Sequence, residues 1–189
     1  MADRERRVVI RRALPGEAKR LSELAMRSKA HWGYDEEFLE RVRPILTFTE
    51  EDVRNWPMYV MATESDEPAG VYRITGAPPQ GELEDLWLDP PFIGHGMGRA
   101  LLEHALEIAA ELGFESLVIE GEPNAEGFYL AMGAIRIGSR RSPSGRTLPL
   151  LRITTRSNPH TGRSAAAGRH TRHVALPPPT RSYRNPGRQ

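Results

Sequence analysis

The chain contains no cysteine, which removes disulfides, thiolate metal sites and a cysteine nucleophile together. Its lysines number two, Lys19 and Lys29, so most of its positive charge is arginine. The six histidines are scattered, three of them beyond residue 155, and no metal-ligand spacing is present; no metal is expected. No apolar run approaches the roughly 20 residues that span a bilayer. The first residues, MADRERRVVIRRA, lack the apolar core of a secretory signal. A cytoplasmic protein without a membrane partner is the expectation.

What is present suits one well-cored domain: 189 residues, 39% hydrophobic and 27% charged. A net charge of +1 conceals an asymmetry. From Thr155 onward there are seven arginines and no acid, which leaves 19 basic against 25 acidic residues in 1–154. The expected organisation is a mildly acidic domain over 1–154 and a basic tail over 155–189. That tail has too few large apolar residues to offset its ordering entropy and is read as disordered. An acidic body argues against nucleic-acid binding anywhere but the tail.

Apolar periodicity predicts strands at 7–12, 58–63, 70–75, 82–88, 116–120, 134–138 and 148–154. A helix follows Pro15, a second runs from about Asp35 to before Pro44, and a short turn is capped by Thr49. The clearest helix spans 97–112, with Glu103, Glu107 and Glu111 on its exposed row and Gly113 after its end. A short helix follows Asn124, read as its cap. The order is that of a mixed α/β sheet with a βαβ unit over 82–120.

Between strand and helix stands DPPFIGHGMG, with Gly94, Gly96 and Gly98 alternating. A phosphate loop of the GxxxxGK[ST] type needs a lysine after its glycines, and none follows. A dinucleotide fingerprint has GxGxxG spacing near the first strand, whereas this loop is GxGxG and lies mid-chain. A plain turn is the third reading, but three alternating glycines carry an entropic cost that a turn does not require.

The stretch LEDLWLDPPFIGHGMGRALL resembles the strand, (Q/R)-x-x-G-x-(G/A) loop and helix of the GNAT acetyltransferase superfamily. Ile93 stands where that pattern has Gln or Arg. A second segment, NAEGFYLAMGAIRIG, is similar to the family's later N-x-x-(A/G)-x-x-F-Y region, with Ala134 where Phe is frequent. The resemblance implies a mixed, mostly antiparallel, splayed sheet of six or seven strands flanked by about four helices. It implies acetyl-CoA as co-substrate. The pyrophosphate would lie on the amides of Gly94, His95, Gly96, Met97, Gly98 and Arg99, and the pantetheine along the backbone of Leu86, Trp87 and Leu88. Asn124 would contact the pantetheine or nearby backbone, and Phe128 would pack beneath. Tyr129 would protonate the leaving thiolate; read from helical spacing alone, it is a core aromatic. A homodimer is compatible with the family.

An alkylammonium has a pKa near ~10 and no lone pair, so amine acetylation needs a base or a water chain. Glu84 is the first candidate and Glu82 the second, on one strand face, with Asp85 expected on the other. Alternatively these acids mark an exposed strand start. Glu82, Glu84, Glu120 and Glu122 together suggest a cationic acceptor. Three readings follow: an N-acetyltransferase for a small amine, one for a protein lysine or N-terminus, and a non-catalytic acyl-CoA-binding module.

Overall fold

Strand alternation and helix periodicity translate into seven strands and five α-helices in a computed structural model that describes residues 7–142 and 144–155. The basic tail expected from the sequence lies outside the described residues, except for Thr155. The strands are β1 (Val8–Arg12), β2 (Met58–Thr63), β3 (Pro68–Ala77), β4 (Gln80–Leu88), β5 (Ser116–Glu120), β6 (Ile135–Arg141) and β7 (Thr147–Thr154). They form one sheet in the order β1-β2-β3-β4-β5-β7-β6. Only β4 and β5 run parallel. The long helix between them is the crossover that a parallel pair requires.

The helices are α1 (Ala18–Ala30), α2 (Glu36–Val42), α3 (Glu50–Asn55), α4 (Met97–Glu111) and α5 (Glu126–Ala131). The extra one relative to expectation is α3. The Thr49 side chain accepts from Asp52 N–H at 3.0 Å and the Asp52 carboxylate accepts from Thr49 N–H at 2.8 Å. This reciprocal cap turns a predicted turn into a helix. Asn124 caps nothing: a 3-10 turn at Pro123–Ala125 leads directly into α5.

Two apolar layers cover the two faces of the sheet. On one, Leu101, Leu102, Ala105 and Leu106 of α4 and Tyr129 of α5 pack on Tyr72, Ile74, Leu83, Leu117 and Leu151. On the other, Leu21, Leu24 and Ala25 of α1 pack with Phe48, Val53, Met58, Val60 and Val71. Each large side chain fully buried here contributes about 1.5–3 kcal/mol. On α4, His104 meets the buried Tyr72 hydroxyl through Nδ1 at 2.8 Å.

Gly81 lies where β4 still touches both neighbours, opposite Gly76 of β3 and Leu117 of β5. A Cβ there would come within 2.6 Å of the Phe114 ring and 2.9 Å of the Thr75 carbonyl oxygen. We expect Gly81→Val to destabilise the fold by about 1–3 kcal/mol, the usual range for overpacking. Urea denaturation read by tryptophan fluorescence would show it, and an unchanged midpoint would mean that the strands yield without strain.

Candidate active site

The two parallel strands pair only briefly. Gln80, Gly81 and Glu82 of β4 register with Ser116, Leu117 and Val118 of β5, and there the pairing ends. Past Glu82, β4 continues along β3 to Leu88, while β5 stays with β7. A wedge-shaped gap opens between the C-terminal halves of β4 and β5. Asp89 N–H donates to the Ala69 carbonyl at 2.9 Å, so Asp85, Trp87 and Asp89 turn their backbone groups toward β3. Alternation then points the N–H and C=O groups of Leu86 and Leu88 into the gap. Trp87, expected to share that edge with its backbone, turns its backbone groups toward β3, and its side chain packs in the α1 layer.

The glycine loop lies at the top of the same gap. Gly94 and Gly96 have φ of 84° and 78°, a left-handed backbone that side chains disfavour. Gly96 is the N-cap of α4 and no side chain caps the helix. The first intrahelical acceptor contact is Ala100 N–H to Gly96 O at 3.2 Å, which leaves the earlier amides as uncapped helix-start donors. A Cβ on Gly98 would meet Leu88 Cδ1 at 3.3 Å and the Phe128 ring at 3.6 Å. Strand edge, loop and α5 therefore converge at Gly98. Arg99 turns its guanidinium to Glu103 at 3.1 Å, so its backbone rather than its charge faces the loop.

Tyr129 is buried beside Phe128, ring centroids 5.1 Å apart. No sealed side-chain polar atom among the described residues lacks a hydrogen-bond partner. The Tyr129 hydroxyl makes no hydrogen bond among the described residues, and the residue is 6% exposed. Burial raises its pKa, and the Asp85 charge adds to the rise. Asp85 belongs to the opposite sheet face, and its charge reaches the phenol where the strands part.

The acids of β4 differ from expectation in one respect. Arg73 registers with Asp85 and Ile74 with Leu83, so Glu84 is the extra residue of a β-bulge. The bulge reverses strand parity and puts Asp85 on the same face as Glu82 and Glu84. There the buried Arg73 guanidinium meets Asp85 at 2.8 Å, Asp52 at 3.2 Å and Glu84 at 3.4 Å. Asp85 also accepts from the Trp87 indole at 2.9 Å. Desolvation beside the Arg73 cluster raises the Glu84 pKa although its side chain is 46% exposed, opposed by Arg73 and reinforced by Asp85. Glu82 is exposed.

A second polar cluster, absent from the sequence reading as a unit, spans the rims of the gap on the α1 side. Lys29 of α1 donates to Glu122, two residues past β5, at 2.5 Å. Tyr34 donates its hydroxyl proton to the same carboxylate and accepts from Arg146 of the β6–β7 hairpin. Asn124 donates to Glu122 at 3.2 Å, so its amide is already engaged. The Tyr34 phenol is pushed up to about 12, first by burial and then by Glu122. Of the acids expected at the mouth, Glu120 is paired with Arg140 at 3.0 Å and Glu122 with Lys29 and Arg146, whereas Glu84 shares Arg73 with Asp52 and Asp85. A cleft of about 400 Å³ lined by Ser22, Met26, Arg43 and Phe48 lies elsewhere and contains none of the predicted site residues. Among the described residues no side-chain cluster could hold a metal ion, and no helix is long and apolar enough to cross a membrane.

Residues 19–134 match the model of the Acetyltransferase (GNAT) family. A peptidyl-lysine N-acetyltransferase, YjaB, from Salmonella typhimurium is 37% identical over 98 residues, which is 51% of this chain and 63% of that protein. Its Escherichia coli counterpart is 36% identical over the same length. The chain thus matches just under two thirds of these relatives. Among solved structures, the fold resembles the PaiA N-acetyltransferase of Thermoplasma acidophilum in complex with coenzyme A (TM-score 0.62, 17% identity, 78% of this chain and 99% of that one). It also resembles the ribosomal-protein-S18-alanine N-acetyltransferase of Escherichia coli (TM-score 0.60, 15% identity, 79% and 94%).

Burial alone would raise the Glu122 pKa, but hydrogen bonds from Lys29 and Tyr34 and the charges of Lys29 and Arg146 outweigh it and hold the carboxyl below its usual range. A depressed carboxyl pKa stabilises the fold fully above the unfolded value near ~4.3, and that contribution disappears as pH falls through the folded value. Glu122→Gln should therefore cost about 3 kcal/mol at pH 7, as breaking a buried pair does. The penalty should shrink on acidification below that value. Denaturation midpoints at pH 7 and in acid check this; a penalty independent of pH would show that Glu122 acts by shape alone.

Proposed function

The chain belongs to the acetyltransferase (GNAT) family, and from that premise we propose that it is an N-acetyltransferase that moves an acetyl group from acetyl-CoA to a primary amine. The observation that carries the reading is the meeting, at one gap in the sheet, of an unpaired strand edge, an uncapped glycine loop and a buried tyrosine whose hydroxyl has no partner among the described residues. Acetyl-CoA supplies an activated acyl carbonyl on a thiolate leaving group.

The residues present suit that molecule. The amides of Gly94, His95, Gly96, Met97, Gly98 and Arg99 would take its pyrophosphate, aided by the α4 dipole. The backbone groups of Leu86 and Leu88 would hold the pantetheine as an added strand, and Phe128 would close the space below Gly98. Glu84 would accept the acceptor's proton, its raised pKa making it a better base than an ordinary carboxylate, with Glu82 next along the strand. Tyr129, kept protonated by burial and Asp85, would return a proton to the leaving group.

Two acceptor classes remain in view. Similarity to peptidyl-lysine N-acetyltransferases favours a lysine side chain, while the sequence first suggested a small free amine. Turnover of lysine peptides against free amines at equal concentration decides between them.

Titration calorimetry on the whole chain should give micromolar binding of acetyl-CoA, lost in Gly96→Asp, where a carboxylate enters the phosphate cradle. Tyr129→Phe should keep that binding while kcat drops about 10²- to 10⁴-fold, the range of a positioned acid. Glu84→Gln should erase the acid limb of the kcat/KM profile. Binding without turnover in the wild type would leave the acyl-CoA-binding module as the better reading.

A further inference from the structure

The Lys29 ammonium occupies an unusual place for a surface-helix lysine. Its side chain is 12% exposed and its Nζ lies 2.5 Å from Glu122, a carboxylate that is itself 7% exposed. Three aromatic rings surround it, with Tyr34 at 5.2 Å, Phe38 at 5.7 Å and Trp87 at 5.9 Å from the ring centroids. Aromatic faces plus one carboxylate are the chemistry that recognises an alkylammonium ion. The two rims of the gap supply it: Trp87 comes from β4 beyond its last pairing with β5, and Glu122 from the segment just after β5. The chain's own amine thus sits at the α1-side mouth of the gap whose other side carries the glycine loop and Tyr129.

We propose that Lys29 is a site of self-acetylation in cis; this rests on the acetyltransferase reading above. The Lys29 ammonium leaves its ion pair with Glu122 and loses one proton to solvent. The freed Nζ lone pair forms a C–N bond to the acetyl carbonyl carbon, and the C–S bond breaks with its electron pair leaving on sulfur. Tyr129 protonates the thiolate, and the second proton lost from nitrogen restores the phenol through solvent. The products are N-acetyl-lysine, free CoA and one released proton. Modification removes one of the two cations on Glu122 and leaves Arg146 as its remaining ion-pair partner.

The chain carries its own control, because the only other lysine, Lys19, is exposed on α1. Purely chemical acylation favours the exposed amine. The whole protein would be incubated with acetyl-CoA, and both lysines followed by intact mass and peptide mapping. A parallel sample without acetyl-CoA would receive a small amine-reactive reagent. The expected result is an inversion: the reagent labels Lys19 ahead of Lys29, whereas acetyl-CoA modifies Lys29 about a hundredfold faster than Lys19, the low end of what positioned acid–base groups contribute. The rate per molecule should not change on dilution. It should vanish in Lys29→Arg and persist in Lys19→Arg.

Equal rates at the two lysines, or Lys19 leading in both samples, would overturn the proposal. So would a dilution-dependent rate. If acetyl-CoA binds and an added amine is acetylated while Lys29 stays unmodified, self-acetylation is wrong and the acetyltransferase reading stands. If neither binding nor any acetylation occurs, both fall.

Discussion

The parting of β4 from β5 after Glu82 is the constraint on which the rest of the molecule depends. A continuous ladder would bury the backbone groups of Leu86 and Leu88 in ordinary sheet bonds and leave α4 starting over a closed surface. Because β5 keeps its full register with β7, the divergence opens a cleft without loosening either half of the sheet. Buried main-chain donors and acceptors need partners, so an edge exposed inside a fold is a place prepared for something extended to lie. Both layers of helices are arranged around that edge. The α4–α5 layer brings the glycine loop and Tyr129 from one side, and the α1 layer brings Lys29 and Trp87 from the other.

The second organising interaction is at Arg73, a residue 9% exposed, with three carboxylates from α3 and β4 around its guanidinium. A buried charge of this kind is tolerable only when its donors are used, and here Asp52, Glu84 and Asp85 use them. The consequence is positional. Asp85 holds the Trp87 indole, Trp87 walls the Lys29 ammonium, and Lys29 ties α1 to the segment after β5. A polar floor therefore runs along one face of β4 from its acidic start to the mouth of the gap. Tyr129 feels the same floor through the opening, which couples the two sides of the sheet electrostatically while their cores remain separate.

Much of this was legible in the residues. Strand and helix order could be read because apolar periodicity is local, and the glycine loop because left-handed backbone at Gly94 and Gly96 leaves its mark as residue type. The α3 cap was partly visible in Thr49 and the acids after it. What could not be read depends on register. Asp85 was placed on the wrong face because strict alternation assumes no bulge, and a bulge has no composition signal here. The Lys29–Glu122–Arg146 cluster joins residues 93 and 24 positions apart, so no window holds it. Asn124 looked like a cap because its residue type favours that role, yet its amide serves Glu122. The acids at the mouth read as free charge because the cations beside them come from other elements: Arg73 from β3, Arg140 from β6, Lys29 from α1 and Arg146 from the β6–β7 turn.

The bulge at Glu84 also fixes how this strand can change over generations. Side chains before and after it face their layers by opposite parity: Leu83 and Leu86, three apart, lie in one core, while Asp85 and Trp87 turn to the other. Excising Glu84 would restore a regular ladder and leave every other side chain on its own face, whereas excising Leu83 would carry Glu84 into the leucine core in its place. Point substitutions leave that parity intact. This segment can therefore shorten by one residue only at Glu84, losing the acid beside Arg73, and elsewhere along it descendants should diverge by replacement.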